Sequence, residues 1–220
     1  MVTATEETIP LPTIERLHIM KHGRLFVLAL MPILGISGLI TGCCSNDDYT
    51  PKPKAYLRFD FPPKAYSVYD TAALPFSFER ANEARCVMKK NQSHDKWLDV
   101  LYPTRKGIMF LTYKHLGRPE ELAGQIDTSY KFLEQHFNFT SGVDEERFVN
   151  PATHVYATTF HLKGSDVAST FQFYATDSLH HFLRGSIYLN QTPNNDSLAP
   201  LLEYLQHDAK HLIETLRWRE

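Results

Sequence analysis

The stretch from Thr153 to Asn190 reads THVYATTFHLKGSDVASTFQFYATDSLHHFLRGSIYLN and carries the clearest structural pattern in the chain. Apolar and polar residues alternate along three blocks of it, a pattern typical of strands that bury one face. The blocks are separated by Gly164-Ser165 and by residues 176–178 (Thr-Asp-Ser), which are residue types that favour turns. The stretch therefore predicts a meander of three antiparallel strands.

Within each predicted strand, alternate apolar residues are expected to share one face. They are Tyr156, Phe160 and Leu162 in the first strand, Val167, Phe171 and Phe173 in the second, and Leu183, Ile187 and Leu189 in the third. Gly185 falls between two of these residues on the face of the third strand. A glycine inside a strand predicts a bulge or a close approach, here by a helix that lies above it.

A long helix is predicted after the meander. Asn194 to Ser197 supplies capping residues, Pro200 falls in the first turn, and the helical pattern continues to Trp218. An apolar stripe at helical spacing is expected to cover the meander. Its residues are Leu198, Leu201, Leu202, Leu205, Ala209, Leu212 and Leu216.

Two more elements precede the meander. Residues 97–102 and 108–113 predict a hairpin, and the near-continuous apolar run of its second strand favours a central strand covered on both faces. Pro119 marks the start of a middle helix. Its apolar stripe is expected at Leu122, Ile126, Tyr130, Leu133 and Phe137. The predicted fold class is therefore α+β, an antiparallel sheet packed by a middle helix and a long C-terminal helix.

The composition places the chain among globular proteins. Of its 220 residues, 43% are apolar and 22% are charged, which excludes wholesale disorder and a membrane protein with many spans. The formal net charge is -2, whereas a dedicated nucleic-acid binder is normally basic, so no nucleic-acid partner is expected. Three cysteines are too few for a fold built on disulfides.

The amino-terminal region resembles a bacterial lipoprotein signal. A basic segment (residues 20–24) precedes an apolar run (residues 25–40) that makes about 24 Å of helix, short of a hydrocarbon core of about 30 Å. Residues 39–43 (LITGC) are similar to a lipobox, in which the cysteine, here Cys43, receives a diacylglycerol and the chain is cut before it. The alternative is a single membrane anchor whose last residue happens to be a cysteine.

These patterns predict three parts of the chain: a signal peptide (1–42), a lipidated proline-rich tether (43–67) and a single α+β domain (68–220). Acidic residues near the amino terminus fit a signal poorly, so translation is expected to start at Met20 unless the extension is removed with the signal. The tether carries too many aromatic residues for a plain spacer, and part of it is expected to pack on the domain or on a partner. Cys44 and Cys86 either pair or remain free.

The histidines are the residues best suited to chemistry, because the sequence has no Gly-x-Ser-x-Gly elbow and no phosphate-binding loop. His207 and His211 stand four apart on the last helix, a spacing that suits a metal, but they lie opposite the leucine stripe and are expected in water unless a partner covers that face. His180 and His181 are expected to point to opposite faces of one strand, which argues against a shared metal. No catalytic, cofactor or metal residue is therefore predicted.

Arg184, Tyr188 and Asn190 share the polar face of the third meander strand. Such a group suits a surface that binds a partner, a carboxylate or a sugar. It equally suits a hydrated sheet surface, and the sequence leaves both interpretations open.

Two blocks resemble the GldD family of gliding-motility lipoproteins. Residues 49–62 (YTPKPKAYLRFDFP) follow the lipobox, and residues 182–200 run from FLRGSIYLN into PNNDSLAP, with ETLRW (214–218) closing the last helix. The resemblance implies an envelope lipoprotein needed for gliding, in a machinery associated with the type IX secretion system. It implies no catalytic activity, and Cys43 is the one functional residue carried over.

We therefore expect a non-enzymatic component held by a palmitate-bearing anchor, most simply at the outer membrane, with the periplasmic and surface faces both open. Its expected partners are the membrane and other gliding or secretion proteins, without cofactor or small-molecule substrate. The candidate partner-surface residues are Tyr56, Arg58, Arg184 and Tyr188. The alternative is an enzyme or ligand-binding module that acts on envelope polymer. The sheet is expected to be similar to the Mog1/PsbP-like class.

Overall fold

Ten strands and two α-helices make up the part of the chain that the computed structural model describes, residues 58–90 and 94–219. Neither helix within these residues is long and apolar enough to cross a bilayer. In chain order the elements are β1 (Tyr66–Tyr69), β2 (Phe76–Ala81), β3 (Arg85–Lys89), β4 (Lys96–Tyr102), β5 (Gly107–His115), α1 (Glu121–Glu134), β6 (Gly142–Asn150), β7 (Val155–Lys163), β8 (Phe171–Thr176), β9 (His181–Leu189), α2 (Asn195–Thr215) and β10 (Arg217–Trp218).

The strands form two antiparallel sheets. The larger has seven strands in the order β3-β4-β5-β9-β8-β7-β6, so that β7, β8 and β9 are neighbours in chain order and β9 joins them to the β4–β5 hairpin. The smaller sheet has the order β1-β2-β10. The structure is thus α+β, as the sequence predicts, and most of its elements are strands.

Helix α2 covers one face of the large sheet with its leucine stripe. All seven residues of the predicted stripe are buried, and most of them pack with Phe171, Phe173, Leu183 and Ile187 in the main core. The Asn194 side chain accepts the Ser197 N–H as the amino-terminal cap, as expected. Burial of apolar side chains in this core is the main contribution to the stability of the domain.

The two ends of α2 differ from prediction. Pro200 lies in the second helical turn rather than the first, because the helix begins at Asn195. The helix ends at Thr215 rather than Trp218, since Leu216 adopts an extended backbone with ψ 134°. The residues after it form β10 and pair with Phe76 and Ser77 of β2. Sheet pairing therefore overrides the helical periodicity at this end.

Helix α1 packs on the opposite face of the large sheet, over β8 and β9. A second core cluster lies under it, composed of Leu133, Phe160, Leu162 and Val167. Two sequence expectations are wrong here. Val167 lies between β7 and β8 in this cluster rather than beside Phe171 and Phe173 in the main core. Phe137 is 47% exposed, because α1 ends at Glu134, before the predicted stripe does.

Strand β5 is central in the sheet but is covered on one face rather than two. Gly107, Met109, Leu111 and Tyr113 are buried on the α2 side, whereas Phe110 on the other side is 39% exposed. The prediction of two covered faces is therefore wrong. The apolar run of β5 instead places an apolar side chain where solvent reaches the sheet.

Gly185 meets an aromatic ring rather than a helix or a bulge. The β5–β9 and β8–β9 registers run through it without interruption, pairing it with Leu111 and Phe173. A Cβ atom at this position would overlap the ring of Phe173. The close approach is confirmed, but the neighbour is the adjacent strand.

The described part of the predicted tether packs on the domain. Phe59 and Phe61 lie against the main core, and Phe61 stacks on Tyr204 of α2 with ring centroids 4.4 Å apart. Lys64 Nζ donates to Asp208 Oδ1 at 2.5 Å and to the Tyr204 carbonyl at 2.7 Å. The expectation that part of the segment packs on the domain is confirmed. The boundaries at 42 and 43 fall outside the described residues.

Candidate interaction surface

The α1 side of the large sheet is only half covered. Helix α1 lies over β8 and β9, while β3, β4 and β5 extend beyond it. Three aromatic side chains stay exposed there, Trp97 by 44%, Phe110 by 39% and Phe132 by 40%. We call the α1-facing side chains of β3, β4, β5 and β9, together with Phe132, the open face. A group of exposed aromatic residues marks a surface that binds a partner more often than a surface that only contacts water.

A row of paired residues crosses the open face. Trp97 of β4 pairs with Thr112 of β5, and Thr112 pairs with Arg184 of β9. A cleft of about 280 Å³ lies between this row and α1. Its walls are Asp95, Trp97, Thr112, Lys114, Gln125, Thr128, Ser129, Phe132, Phe182 and Arg184. The cleft therefore combines aromatic and charged walls in one concave site.

Arg184 is a half-buried cation on the wall of this cleft. Its guanidinium lies 4.3 Å from the centre of the Phe132 ring, and Nη2 donates to the neutral Gln172 Oε1 at 2.9 Å. No carboxylate in the described part of the chain forms an ion pair with it. Burial lowers the pKa of Arg184, although the nearby Tyr188 opposes the shift. The charge is thus held by stacking and one neutral hydrogen bond.

Other charges on the open face are partly balanced. Lys89 lies 3.2 Å from Asp99, and Lys114 lies 3.6 Å from Asp95. Arg85 and Arg184 add two more cations. When Asp95, which directly precedes β4 and lines the cleft, is counted with the open face, four positive groups stand against two carboxylates and the formal charge is +2. The open face is therefore basic on a chain whose net charge is -2. Such an asymmetry favours an acidic partner.

Tyr188 lies on the open face with Arg184, and the sequence predicts that these two residues share one face of the strand. Its ring is 5.6 Å from Phe110 and 6.4 Å from His136, centroid to centroid. Burial and the Arg184 charge lower the pKa of His136, so this imidazole is neutral near pH 7. Asn190 follows β9 instead of sharing its face, and its N–H donates to the Lys106 carbonyl.

The other predicted partner residues lie elsewhere. The Arg58 side chain is 92% exposed and lies 3.7 Å from Asp60, beside the phenylalanines that pack towards α2. Arg58 is therefore on the α2 side, whereas Arg184 and Tyr188 belong to the open face. Tyr56 and Cys43 lie outside the described residues, so their contacts remain predictions.

His207 is exposed, as the sequence predicts, whereas His211 is half-buried against the chain itself, so the expectation that it faces water is wrong for His211. The Tyr66 ring stacks on His211 at 3.8 Å, and its hydroxyl lies 3.2 Å from His207 Nδ1. His211 Nε2 lies 2.7 Å from Glu79 Oε2 of β2. Within residues 58–90 and 94–219, no group of three or more His, Cys, Asp or Glu side chains is placed to hold a metal ion.

His180 and His181 occupy different elements rather than adjacent strand positions. His181 begins β9, stacks on Trp218 at 5.0 Å, and its Nδ1 lies 2.8 Å from the Tyr113 hydroxyl. His180 precedes the strand and is exposed. Three backbone N–H groups donate to Asp177 Oδ1; partial burial would raise its pKa, but these bonds lower it. Asp177 and the two histidines therefore stabilise the turn before β9 and the adjoining end of the sheet.

Sequence reasoning missed Trp97, Phe110 and Phe132 as surface residues. Trp97 and Phe110 belong to runs that are apolar at most positions, so neither face of those strands stood out as solvated. Phe132 falls one position from Leu133, outside the predicted apolar stripe of α1. That offset was the one available signal, because an aromatic residue off the buried stripe of a helix is expected at its surface.

The family described as gliding motility lipoprotein GldD matches residues 46–218. The chain belongs to the GldD family. The match covers the whole described region except its last residue, so both sheets and both helices fall within the family domain. No curated protein matches the chain. Membership of GldD associates the chain with lipoproteins and with gliding motility.

Proposed function

We propose that this GldD-family chain is a non-enzymatic component of the gliding machinery and of its associated type IX secretion system. Its lipid anchor at Cys43, including a palmitate-type acyl chain, holds it at the outer membrane, and its domain docks other proteins of the machinery. The family match supports the association with gliding. The open face, with its grouped aromatic residues and unbalanced positive charge, is the observation that supports docking.

Two acyl chains give stable membrane residence without a spanning helix, because each buried methylene contributes about 0.8 kcal/mol. The anchor therefore leaves the domain free to present its surfaces to protein partners. Trp, Tyr and Arg are the residue types that contribute most binding free energy at protein interfaces. Trp97, Tyr188 and Arg184 supply all three types on one face.

The second candidate function is a ligand-binding module or enzyme that acts on envelope polymer. The cleft of about 280 Å³ favours it, because aromatic walls next to Asp95 and Thr128 also suit a sugar. Docking is the stronger proposal, since the exposed aromatic surface continues beyond the cleft to Phe110 and Tyr188. We also propose that the large sheet is similar to that of the Mog1/PsbP-like class. An experimental structure of this chain, superposed on members of that class, would test the similarity.

Crosslinking in intact cells, followed by purification of the native lipoprotein from membranes, tests the proposal. The expected result is co-purification of gliding or secretion proteins from the outer-membrane fraction, together with loss of gliding when the chain is deleted. A deletion strain that glides normally would contradict the proposed function. Hydrolysis or binding of purified envelope polymer by the purified chain would favour the second candidate.

A further inference from the structure

Arg184 carries a positive charge that the described residues do not neutralise. Its guanidinium is half-buried between the Phe132 ring and the sheet, and its hydrogen bond goes to the neutral Gln172. Burying a cation without an anion is unfavourable, and a charge-assisted bond to a carboxylate offsets that penalty. A carboxylate that enters the cleft would therefore bind where the domain has left an unpaired charge.

Gln172 adds a second unsatisfied group at the same place. The residue is 2% exposed; Oε1 accepts from Arg184, and Nε2 has no hydrogen-bond partner within the described residues. Buried polar groups are nearly always paired, so an orphaned donor next to an unpaired cation marks a site that is completed by something else. Of the two residues, Arg184 lines the cleft, so it is the group that the acceptor oxygens of a ligand can reach.

The walls above Arg184 are apolar. Trp97 and Phe132 both line the cleft and keep 44% and 40% of their surface exposed. A ligand that pairs with Arg184 therefore also meets two aromatic rings and must carry an apolar group beside its carboxylate. An extended protein segment with Asp or Glu next to a large apolar side chain has both.

The charge and shape of the open face argue against two other occupants. A second copy of the chain would bring its own +2 face against the first, because a symmetric interface uses the same patch twice. A flat lipid surface cannot reach a half-buried guanidinium on the wall of a cleft. A protruding side chain can.

We propose that the open face binds an acidic segment of a partner protein, with an Asp or Glu carboxylate on Arg184 and a neighbouring apolar side chain against Trp97 and Phe132. The inference rests on the proposed docking function and specifies its surface and the chemistry of its partner. The positive charge of Arg85, on β3 of the same face, steers an acidic segment towards the cleft.

Site-specific photocrosslinking in living cells tests this proposal with the full lipoprotein. The photoreactive residue p-benzoylphenylalanine replaces Phe110 on the open face, and in a matched control it replaces Val68, which is 65% exposed on β1. The expected result is a protein adduct from position 110 and none from position 68. Mass spectrometry should place the crosslink in a segment that contains Asp or Glu.

Charge variants then separate specific binding from mere proximity. Arg184→Gln should lower the adduct yield by about tenfold or more, since it removes one member of a buried charge pair. Arg118→Gln makes the same chemical change at a side chain that is 77% exposed and should leave the yield unchanged. If Arg184→Gln lowers the amount of lipoprotein, Trp97→Ala, which removes no contact of Gln172, must lower the yield in its place.

Each remaining outcome overturns the inference. These outcomes are an adduct to lipid, to glycan or to a second copy of the chain, a protein adduct that Arg184→Gln and Trp97→Ala leave unchanged, or no adduct at position 110. If machinery proteins still co-purify with the native chain in those cases, the proposed function stands and only the surface is wrong. If nothing co-purifies and deletion leaves gliding intact, the proposed function fails as well.

Discussion

At the scale of single residues, Gly185 tests how tightly the sheet is packed. Its Cβ position is occupied by the Phe173 ring, and Phe173 is 1% exposed, so the ring has no free space to enter. Gly185→Ala should therefore lower the free energy of unfolding by about 1–3 kcal/mol. Urea unfolding of the mature chain with Cys43→Ser measures this.

Gly124 is the matched control for that substitution. It lies inside α1, and a Cβ there meets nothing within 4 Å. Gly124→Ala should raise the free energy of unfolding by about 0.5–1 kcal/mol, because it removes the entropy that a helical glycine loses on folding. Equal destabilisation by both substitutions would show that the Phe173 ring does not oppose a side chain at position 185.

The imidazole of His181 makes stability depend on pH. Burial lowers its pKa below the ordinary value, although the charge of Asp177 opposes the shift. The unfolded chain therefore binds the proton more readily, and stability should fall as the pH drops from about 6.5 through the lowered pKa. His181→Gln should reduce this slope in urea unfolding between pH 7 and 5 and leave the part that comes from His136, whose pKa burial also lowers. The exposed His94→Gln control should retain it, and equal slopes in both variants would refute the role of His181.

At the scale of elements, the segment before β1 is held to α2 by a buried ion pair. Asp208 has 2% of its side chain exposed and accepts from Lys64 and from Tyr66. Lys64→Met leaves the carboxylate buried with the Tyr66 hydroxyl as a donor but without its cation. The expected loss is about 3 kcal/mol of unfolding free energy, at the lower end for a broken buried pair.

Lys163→Met is the matched control in urea unfolding of the same mature chain. Lys163 and Asp144 lie 2.7 Å apart, but their side chains are 53% and 61% exposed. Removing this pair should change the free energy of unfolding by less than about 1 kcal/mol, because solvent screens it. A loss at Lys64 as small as that at Lys163 would show that the segment before β1 contributes little to stability.

The elements that the sequence predicts well are those with local signals. The leucine stripe of α2 and the turn residues of β7 to β9 are each visible within a short window. The pairing of β1 and β2 against α2 was not visible, since Tyr66 meets His207 and Asp208 from far along the chain. Periodicity places the two histidines opposite the leucine stripe, but it carries no information on what covers that side.

At the scale of the whole molecule, the open face follows from the number of elements. Seven strands at about 4.8 Å spacing span about 30 Å, whereas a helix about 10 Å wide covers roughly two of them. On the other face, α2 and the small sheet together cover the strands, whereas α1 is the one described helix on its own face. The sequence predicts two helices, and counting them against the strands would have predicted an uncovered surface. The helix count could not have placed Trp97 on that surface, because its position depends on the register between β4 and β5.

The segment before the domain offers a second surface to test on the whole cell. Tyr56→Ala with Arg58→Ala should abolish gliding without lowering the amount of protein, because the Arg58 side chain is 92% exposed and does not hold the fold. Asp60→Asn removes the partner of Arg58 while keeping the cation, and gliding should persist. Normal gliding of the double variant would exclude this segment as a docking surface.

We predict that the Cys43 thiol alone attaches the chain to the membrane, and substitution of Cys43 and of Cys44 in turn distinguishes their roles. Cys43→Ala cannot form the thioether to diacylglycerol, so radiolabelled palmitate should be absent from the purified chain and gliding should be lost. Cys44→Ala should keep both the label and gliding, since a lipobox modifies only its own cysteine. A membrane anchor formed by residues 25–40 predicts the opposite, namely a native chain whose first residue lies upstream of Cys43 and which carries no palmitate. Amino-terminal sequencing of the native chain therefore decides between a lipid anchor and a spanning one.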